Sequence, residues 1–86
     1  SAVIEDNCFI SSHVVVSGYT QVGANSFLGV NSALGNNITF PKNSILAAGA
    51  VMTKTSDKAG GIYAGNPAKM MTKTAYEYFG VEESVI

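Results

Sequence analysis

Side chains that could take part in chemistry are few in this chain, which has one histidine, one cysteine and five lysines. His13 is the only residue whose side chain ordinarily titrates near neutral pH, which makes it the one candidate for a general base of this kind. A catalytic histidine needs an orienting partner, and the local candidates are Ser11, Ser12 or a main-chain carbonyl. Two roles stay open for His13: a catalytic base, or a histidine on a surface or interface that hydrogen-bonds across subunits.

Cys8 is the single cysteine, so no internal disulfide can form. It falls on a position that is usually small and that we place inside the fold, which favours a core thiol over a nucleophile. The first residues contain neither a basic flank nor an apolar run typical of a signal peptide. We therefore expect a cytoplasmic protein, and we assign no metal site.

The elements that must position these residues follow from a hydrophobic repeat with a period of six. Such a period fits neither a helix, whose apolar residues recur every 3.6 positions, nor a strand, where they alternate. It fits one short strand plus one turn, and three such units close a triangular coil. The anchors are Ile4, Ile10, Val16, Val22, Leu28, Leu34, Phe40, Leu46 and Met52.

A second set of residues supports a parallel β-helix with a narrow interior. The position four residues after each anchor is mostly small, as a side chain beside a large neighbour in a thin prism must be. These residues are Cys8, Val14, Thr20, Ser26, Ser32, Ile38, Ser44, Ala50 and Ser56. The pattern predicts an all-β solenoid of about three coils, at residues 4–21 (coil 1), 22–39 (coil 2) and 40–57 (coil 3).

Asparagines recur at or near the predicted turns between strands. They are Asn25, Asn31, Asn36, Asn37 and Asn43. Because asparagine tolerates left-handed backbone angles and caps its own turn, we assign these residues a structural role.

The C-terminal part departs from the repeat. We expect a loop up to Gly61, an extended piece at 62–64, a rigid turn at 65–69, and an amphipathic capping helix at about 70–79 that Gly80 ends. Residues 1–57 then form the coils, and residues 58–86 form the C-terminal loop and capping helix of the same domain. The other end has no such cap, so the chain is either a fragment of something longer or meets a second assembly end to end.

Composition excludes some partners and favours another. The net charge is −1 and no basic run is present, which argues against nucleic acid, and no apolar stretch is long enough for a transmembrane helix. Between Asn7 and Pro41 the sequence has no charged residue. We interpret this uncharged surface as an interface, and a triangular prism suits a three-fold homo-oligomer.

Three stretches make the chain resemble a known family. They are Phe27 to Ser32 (FLGVNS), Ile45 to Val51 (ILAAGAV) and Tyr63 to Lys69 (YAGNPAK). Together with the ladder, they resemble the left-handed β-helix, hexapeptide-repeat acyltransferases. The narrower similarity is to sialic acid O-acetyltransferases and bacterial amino-sugar N-acetyltransferases, which are trimers.

The resemblance implies a donor, an acceptor and a set of binding residues. In that family acetyl-CoA lies in the groove between subunits, and its pantetheine arm runs along the coils. Carried over by position, Gly18, Val30, Ala48 and Gly49 would line that arm, and Lys69 would sit near the nucleotide end. A lysine offers a point charge to phosphate, although Lys69 could also be a solvated surface residue. The implied reaction is acetyl transfer to an amino or hydroxyl group of a sugar-like acceptor.

The sequence also departs from that family at the catalytic position. The family's catalytic histidine aligns just before Ser1, a second family histidine aligns with Phe9, and the N-terminal sugar-nucleotide-binding domain is missing. His13 lies in a different hexapeptide phase. Two hypotheses follow: an acetyltransferase that uses His13 as its base, or a non-catalytic trimeric remnant or assembly module, with or without retained CoA binding.

Overall fold

Short parallel strands separated by tight turns make up most of the molecule. The computed structural model describes residues 2–79. Nine strands of two residues start at every sixth position, as the period predicts. They are β1 (Val3–Ile4), β2 (Phe9–Ile10), β3 (Val15–Val16), β4 (Gln21–Val22), β5 (Phe27–Leu28), β6 (Ala33–Leu34), β7 (Thr39–Phe40), β8 (Ile45–Leu46) and β9 (Val51–Met52).

The strands form the three walls of a prism, because each of β1 to β6 pairs in parallel with the strand eighteen residues later. The first sheet contains β1, β4 and β7, the second begins with β2, β5 and β8, and the third contains β3, β6 and β9. Phe9 pairs with Phe27, for example, and Phe27 with Ile45. Three strands per coil and three coils confirm the solenoid, and the chain is a left-handed parallel β-helix.

The core is a column of anchor residues at the centre of the prism. Val22, Leu28, Phe40 and Leu46 are fully buried, and the small residues predicted to face inward lie between them. Ser26 and Ser32 stay polar inside this column because their hydroxyls donate to the carbonyls of Pro41 and Gly29. The anchors of coil 1 are less covered: Ile4 is 46% exposed.

The turns share one backbone conformation. Every sixth residue has a positive φ of 55° to 71°, which places it in the left-handed region. The set is Asn7, His13, Tyr19, Asn25, Asn31, Asn37, Asn43 and Gly49. The structural role predicted for the asparagines is confirmed at Asn25, Asn31, Asn37 and Asn43, since asparagine tolerates this region better than most residues. Asn36 precedes such a position and is not one of them.

The C-terminal segment extends the second sheet instead of forming a long helix. Strand β10 (Gly61–Ala64) pairs in parallel with β8, and β11 (Lys69–Thr74) pairs antiparallel with β10 across a turn at 65–68. The extended piece, the turn and a short C-terminal helix were predicted correctly, but the helix does not start near residue 70, because residues 69–74 form a strand. Within residues 2–79, only α1 (Ala75–Phe79) is helical. The free edge of β10 offers backbone hydrogen bonds to residues 69–74, and these bonds outweigh a helical spacing of apolar residues.

Gly80, proposed to end the helix, lies outside the described residues, and the boundary at residue 57 stays a prediction. Within the described chain, every helix is too short for a membrane crossing.

Candidate active site

One edge of the prism carries most of the residues that the sequence singled out. The turns at residues 12–13, 30–31 and 48–49 stack there in successive coils, between the second and third sheets. The amide of Asn31 donates to the carbonyl of Ser12 at 3.0 Å, and that of Gly49 to the carbonyl of Val30 at 2.9 Å. We call this stack the His13 edge.

His13 stands at the coil 1 end of this edge. Its side chain is exposed and its backbone has φ 59°. No side-chain hydrogen bond connects it to another residue among 2–79, so neither Ser11 nor Ser12 orients the imidazole. Among the described residues, His13 is therefore an exposed imidazole without a side-chain partner.

Val30, Ala48 and Gly49 continue the edge with small or half-covered side chains. Ala48 and Gly49 are exposed, and a Cβ placed on Gly49 would meet nothing within 4 Å. A ligand can therefore approach the main chain closely along coil 3. Gly18 does not share this edge. Its carbonyl accepts from the amide of Asn37, at the edge between the third and first sheets.

Lys69 lies at the opposite end of the His13 edge from the histidine. The turn at 65–68 adds one more level above coil 3, because the amide of Val51 donates to Gly65 at 2.9 Å and that of Ala68 donates to Val51 at 2.8 Å. Lys69 opens β11 immediately after this turn, pairs with Ala64 and is exposed. A cation thus stands four strand spacings along the solenoid axis from the level of His13, which is roughly 19 Å.

A cavity of about 570 Å³ runs beside this edge over the outer face of the second sheet. Its floor covers four successive strands of the second sheet, with Ser11 next to β2, Phe27 in β5, Ile45 in β8 and Ile62 in β10. Val30 and Ala48 line its border with the His13 edge, whereas the other four predicted residues do not line it. Met71 and Lys73 of β11 and Tyr78 of α1 form a further wall at the C-terminal end of the sheet.

Helix α1 holds this wall in place. Ala75 is buried against Ile45 and Ile62, and its amide donates to the carbonyl of Gly60 at 2.7 Å. A reciprocal cap starts the helix: the amide of Thr74 donates to the Glu77 carboxylate at 2.9 Å, and the amide of Glu77 donates to the Thr74 hydroxyl at 3.2 Å. The pKa of Glu77 is lowered first by the hydrogen bond from the Thr74 amide to its carboxylate and then by the Thr74 side chain beside that carboxylate.

The cavity was not predicted, although its floor had left a signal in the sequence. Phe9, Phe27 and Ile45 are large apolar residues directly before an anchor, eighteen positions apart, and outward-facing positions of a solenoid in water are not expected to be apolar at that period. The wall formed by Met71, Lys73 and Tyr78 was missed because residues 70–79 were predicted to be helical. Lys73 was therefore not assigned to the second sheet.

Solved structures share this architecture. Over 96% of this chain, a UDP-N-acetylglucosamine O-acyltransferase from Moraxella catarrhalis superposes with a TM-score of 0.82 at 21% identity. A variant of GDP-perosamine N-acetyltransferase from Caulobacter crescentus, in complex with CoA and GDP-perosamine, gives 0.66 at 22% identity over 84% of the chain. A maltose O-acetyltransferase from Clostridium difficile gives 0.66 at 18% identity over 95%.

The chain has the fold of the hexapeptide-repeat acyltransferases. At these identities the likeness concerns the fold. This β-helix spans 33%, 40% and 60% of the lengths of the three enzymes, respectively. No family model and no curated protein matches its sequence.

Proposed function

We propose that this β-helix is the donor-binding part of an acyltransferase that moves an acetyl group from acetyl-CoA to an amino or hydroxyl group of a sugar-like acceptor. It would act as a homotrimer in the cytoplasm. The observation that carries the proposal is the His13 edge, which aligns a base, a run of accessible main chain and a lysine in that order.

The residues of this edge fit the chemistry of acetyl-CoA. The main chain at Ala48 and Gly49 is open to amide groups of a pantetheine arm, and the apolar surface of Val30 suits its methylene carbons. The exposed ammonium of Lys69 would attract phosphate at the other end. The CoA and sugar-nucleotide complex of the similar Caulobacter crescentus enzyme supports this donor and this acceptor class.

His13 would work as a general base. Its neutral imidazole takes the proton from the acceptor's amino or hydroxyl group as that group attacks the thioester carbonyl, and returns a proton to the departing thiolate. Acetyl-CoA supplies the activated carbonyl. Because no side chain of residues 2–79 holds the imidazole, its orienting group would come from a neighbouring subunit.

The same missing partner favours a second candidate function. A β-helix whose one histidine is unsupported could be an assembly module that binds CoA without transferring an acyl group. The two functions differ in what His13 does, and they share the binding edge.

Calorimetry with CoA and acetyl-CoA, on material of known oligomeric mass, tests the binding edge. We expect saturable binding with one site per chain. Ala48→Leu should weaken it at least tenfold, because the exposed alanine would then cover the main chain. Ala24→Leu is the matched control, since Ala24 holds the same turn position on another edge. A well-folded trimer that binds neither ligand would exclude the acetyltransferase and leave only an assembly scaffold.

Acetyl transfer to amino sugars then separates the two candidates. His13→Asn is a more specific test than His13→Ala, because asparagine tolerates the φ of 59° at this turn and removes the imidazole without adding backbone strain. For an enzyme we expect a loss of roughly 10²-fold or more in kcat with CoA binding retained. Transfer that survives this change would show that the base assignment is wrong.

A further inference from the structure

The cavity beside the His13 edge is far larger than an acetyl group needs. Its volume of about 570 Å³ falls within the range of small-molecule sites. It extends over four levels of the second sheet, a length of roughly 14 Å. Its shape is therefore that of a trough along the solenoid axis, which suits a linear ligand.

The residues that line the trough are mostly apolar, and one of them, Lys73, is a cation. Phe27, Val30, Ile45, Ile62 and Met71 supply apolar surface, and Lys73 is the only charged residue among the lining residues. The Lys73 ammonium lies 5.9 Å from the centre of the Tyr78 ring, at the level of β11, and Val30 lies near the other end. Apolar surface that ends in one exposed cation matches an anion with an apolar tail.

We propose that this cavity binds a medium-chain aliphatic carboxylate, with its carboxylate at Lys73 and its chain running along Phe27 and Ile45 toward Val30. The site shares Val30 and Ala48 with the edge proposed to bind CoA, but the proposal does not rest on acyl transfer. The chain supplies most of the affinity, because each methylene removed from water is worth about fourfold in the binding constant. The exposed ion pair at Lys73 adds at most about fivefold.

The test is calorimetric titration of the full chain with hexanoate, octanoate, decanoate and dodecanoate below their aggregation concentrations. We expect affinity to rise about fifteen-fold for each pair of added carbons until the trough is full, and then to level off. Val30→Trp should move that plateau to a shorter chain. The matched control is Asn36→Trp, at the same turn position on another edge, which should leave the series unchanged.

The head group is tested separately. Lys73→Gln should weaken decanoate about threefold to fivefold and leave methyl decanoate unchanged, whereas Lys54→Gln, at an exposed lysine outside the cavity, should change neither. Equal binding of acid and ester would overturn the carboxylate assignment. An affinity that does not depend on chain length would overturn the site itself. The site would also be overturned if no carboxylate binds, for example because the C-terminal residues or a second copy of the chain fill the trough.

Discussion

Single residues in this β-helix are constrained mainly by how closely one coil lies on the next. The position after each anchor illustrates this. A Cβ on Gly29 would lie 2.6 Å from the amide nitrogen of Ala48, whereas a Cβ on Gly35 would first meet a flexible methyl of Ile38 at 3.3 Å. Two glycines at equivalent places in the repeat therefore have different freedom to change.

Gly29→Ala should destabilise the fold by about 1–3 kcal/mol, because main-chain atoms of the next coil cannot move aside. Gly35→Ala should change the free energy of unfolding by no more than about 0.5 kcal/mol. Urea unfolding of the two variants measures the difference, and equal values would contradict the close approach seen at Gly29.

Tyr19 occupies a backbone position where a tyrosine lowers the stability of the fold. It has φ 58° and is 74% exposed, so it combines the strain of the left-handed region with few compensating contacts. Tyr19→Asn should raise the free energy of unfolding by about 0.5–1 kcal/mol. Ser12→Asn, at a turn residue without a positive φ, is the control and should change little. A destabilised Tyr19→Asn variant would mean that the ring makes contacts in the assembled protein.

At the scale of elements, the C-terminal strand and helix convert one face of the solenoid into a cavity. Strand β11 adds to the edge of β10, and α1 folds back so that Ala75 covers Ile45 and Ile62. A five-residue helix is not stable alone, so it depends on this packing and on the cap formed by Thr74 and Glu77.

The cap should make this element sensitive to acid. The folded-state pKa of Glu77 is lowered, so its contribution is present above the ordinary carboxyl pKa of about 4.3 and is lost as the pH falls through the folded value. Amide exchange at residues 75–79, compared between the wild type and Glu77→Gln, measures this. We expect the wild type to be better protected near neutral pH and the two to converge in acid. Protection that differs equally at every pH would argue against a charge-dependent cap.

For the whole molecule, the prominent feature is a surface without charge around two coils. Residues 8–40 wind almost twice around the prism, so the uncharged surface is a band that crosses all three sheets. Phe9 on the second sheet is 56% exposed and Val15 on the third is 57% exposed. Such a band favours self-association through more than one face, as a closed trimer requires.

Sedimentation of the intact protein should therefore give a trimer. Phe9→Lys, Val15→Lys and Gln21→Lys each place a charge on a different sheet, at an exposed strand residue. At least one should lower the mass toward that of the monomer, because burying an unpaired ammonium is costly. A monomeric wild type, or a trimer that all three charges leave intact, would contradict the interface assigned to this band.

The sequence by itself determined the coils, because a period of six admits few chain geometries and each anchor can be buried in only one of them. It also determined the turns. A residue such as Asn31 is typical of a turn that needs a left-handed backbone angle. The position of His13 in the repeat placed it at a corner or on an outer face, and the structure shows that it lies at a corner.

Only the tertiary structure decided how residues 53–79 fold and pack against the solenoid. The apolar spacing of Met71, Ala75 and Tyr78 was compatible with a helix, but the open edge of β10 satisfied the main chain of residues 69–74 as a strand. The same pairing placed Lys73 in the edge strand of the second sheet, among the residues that line the cavity. Local periodicity reports on one segment, whereas a sheet edge and the segment that reaches it are related only through the fold.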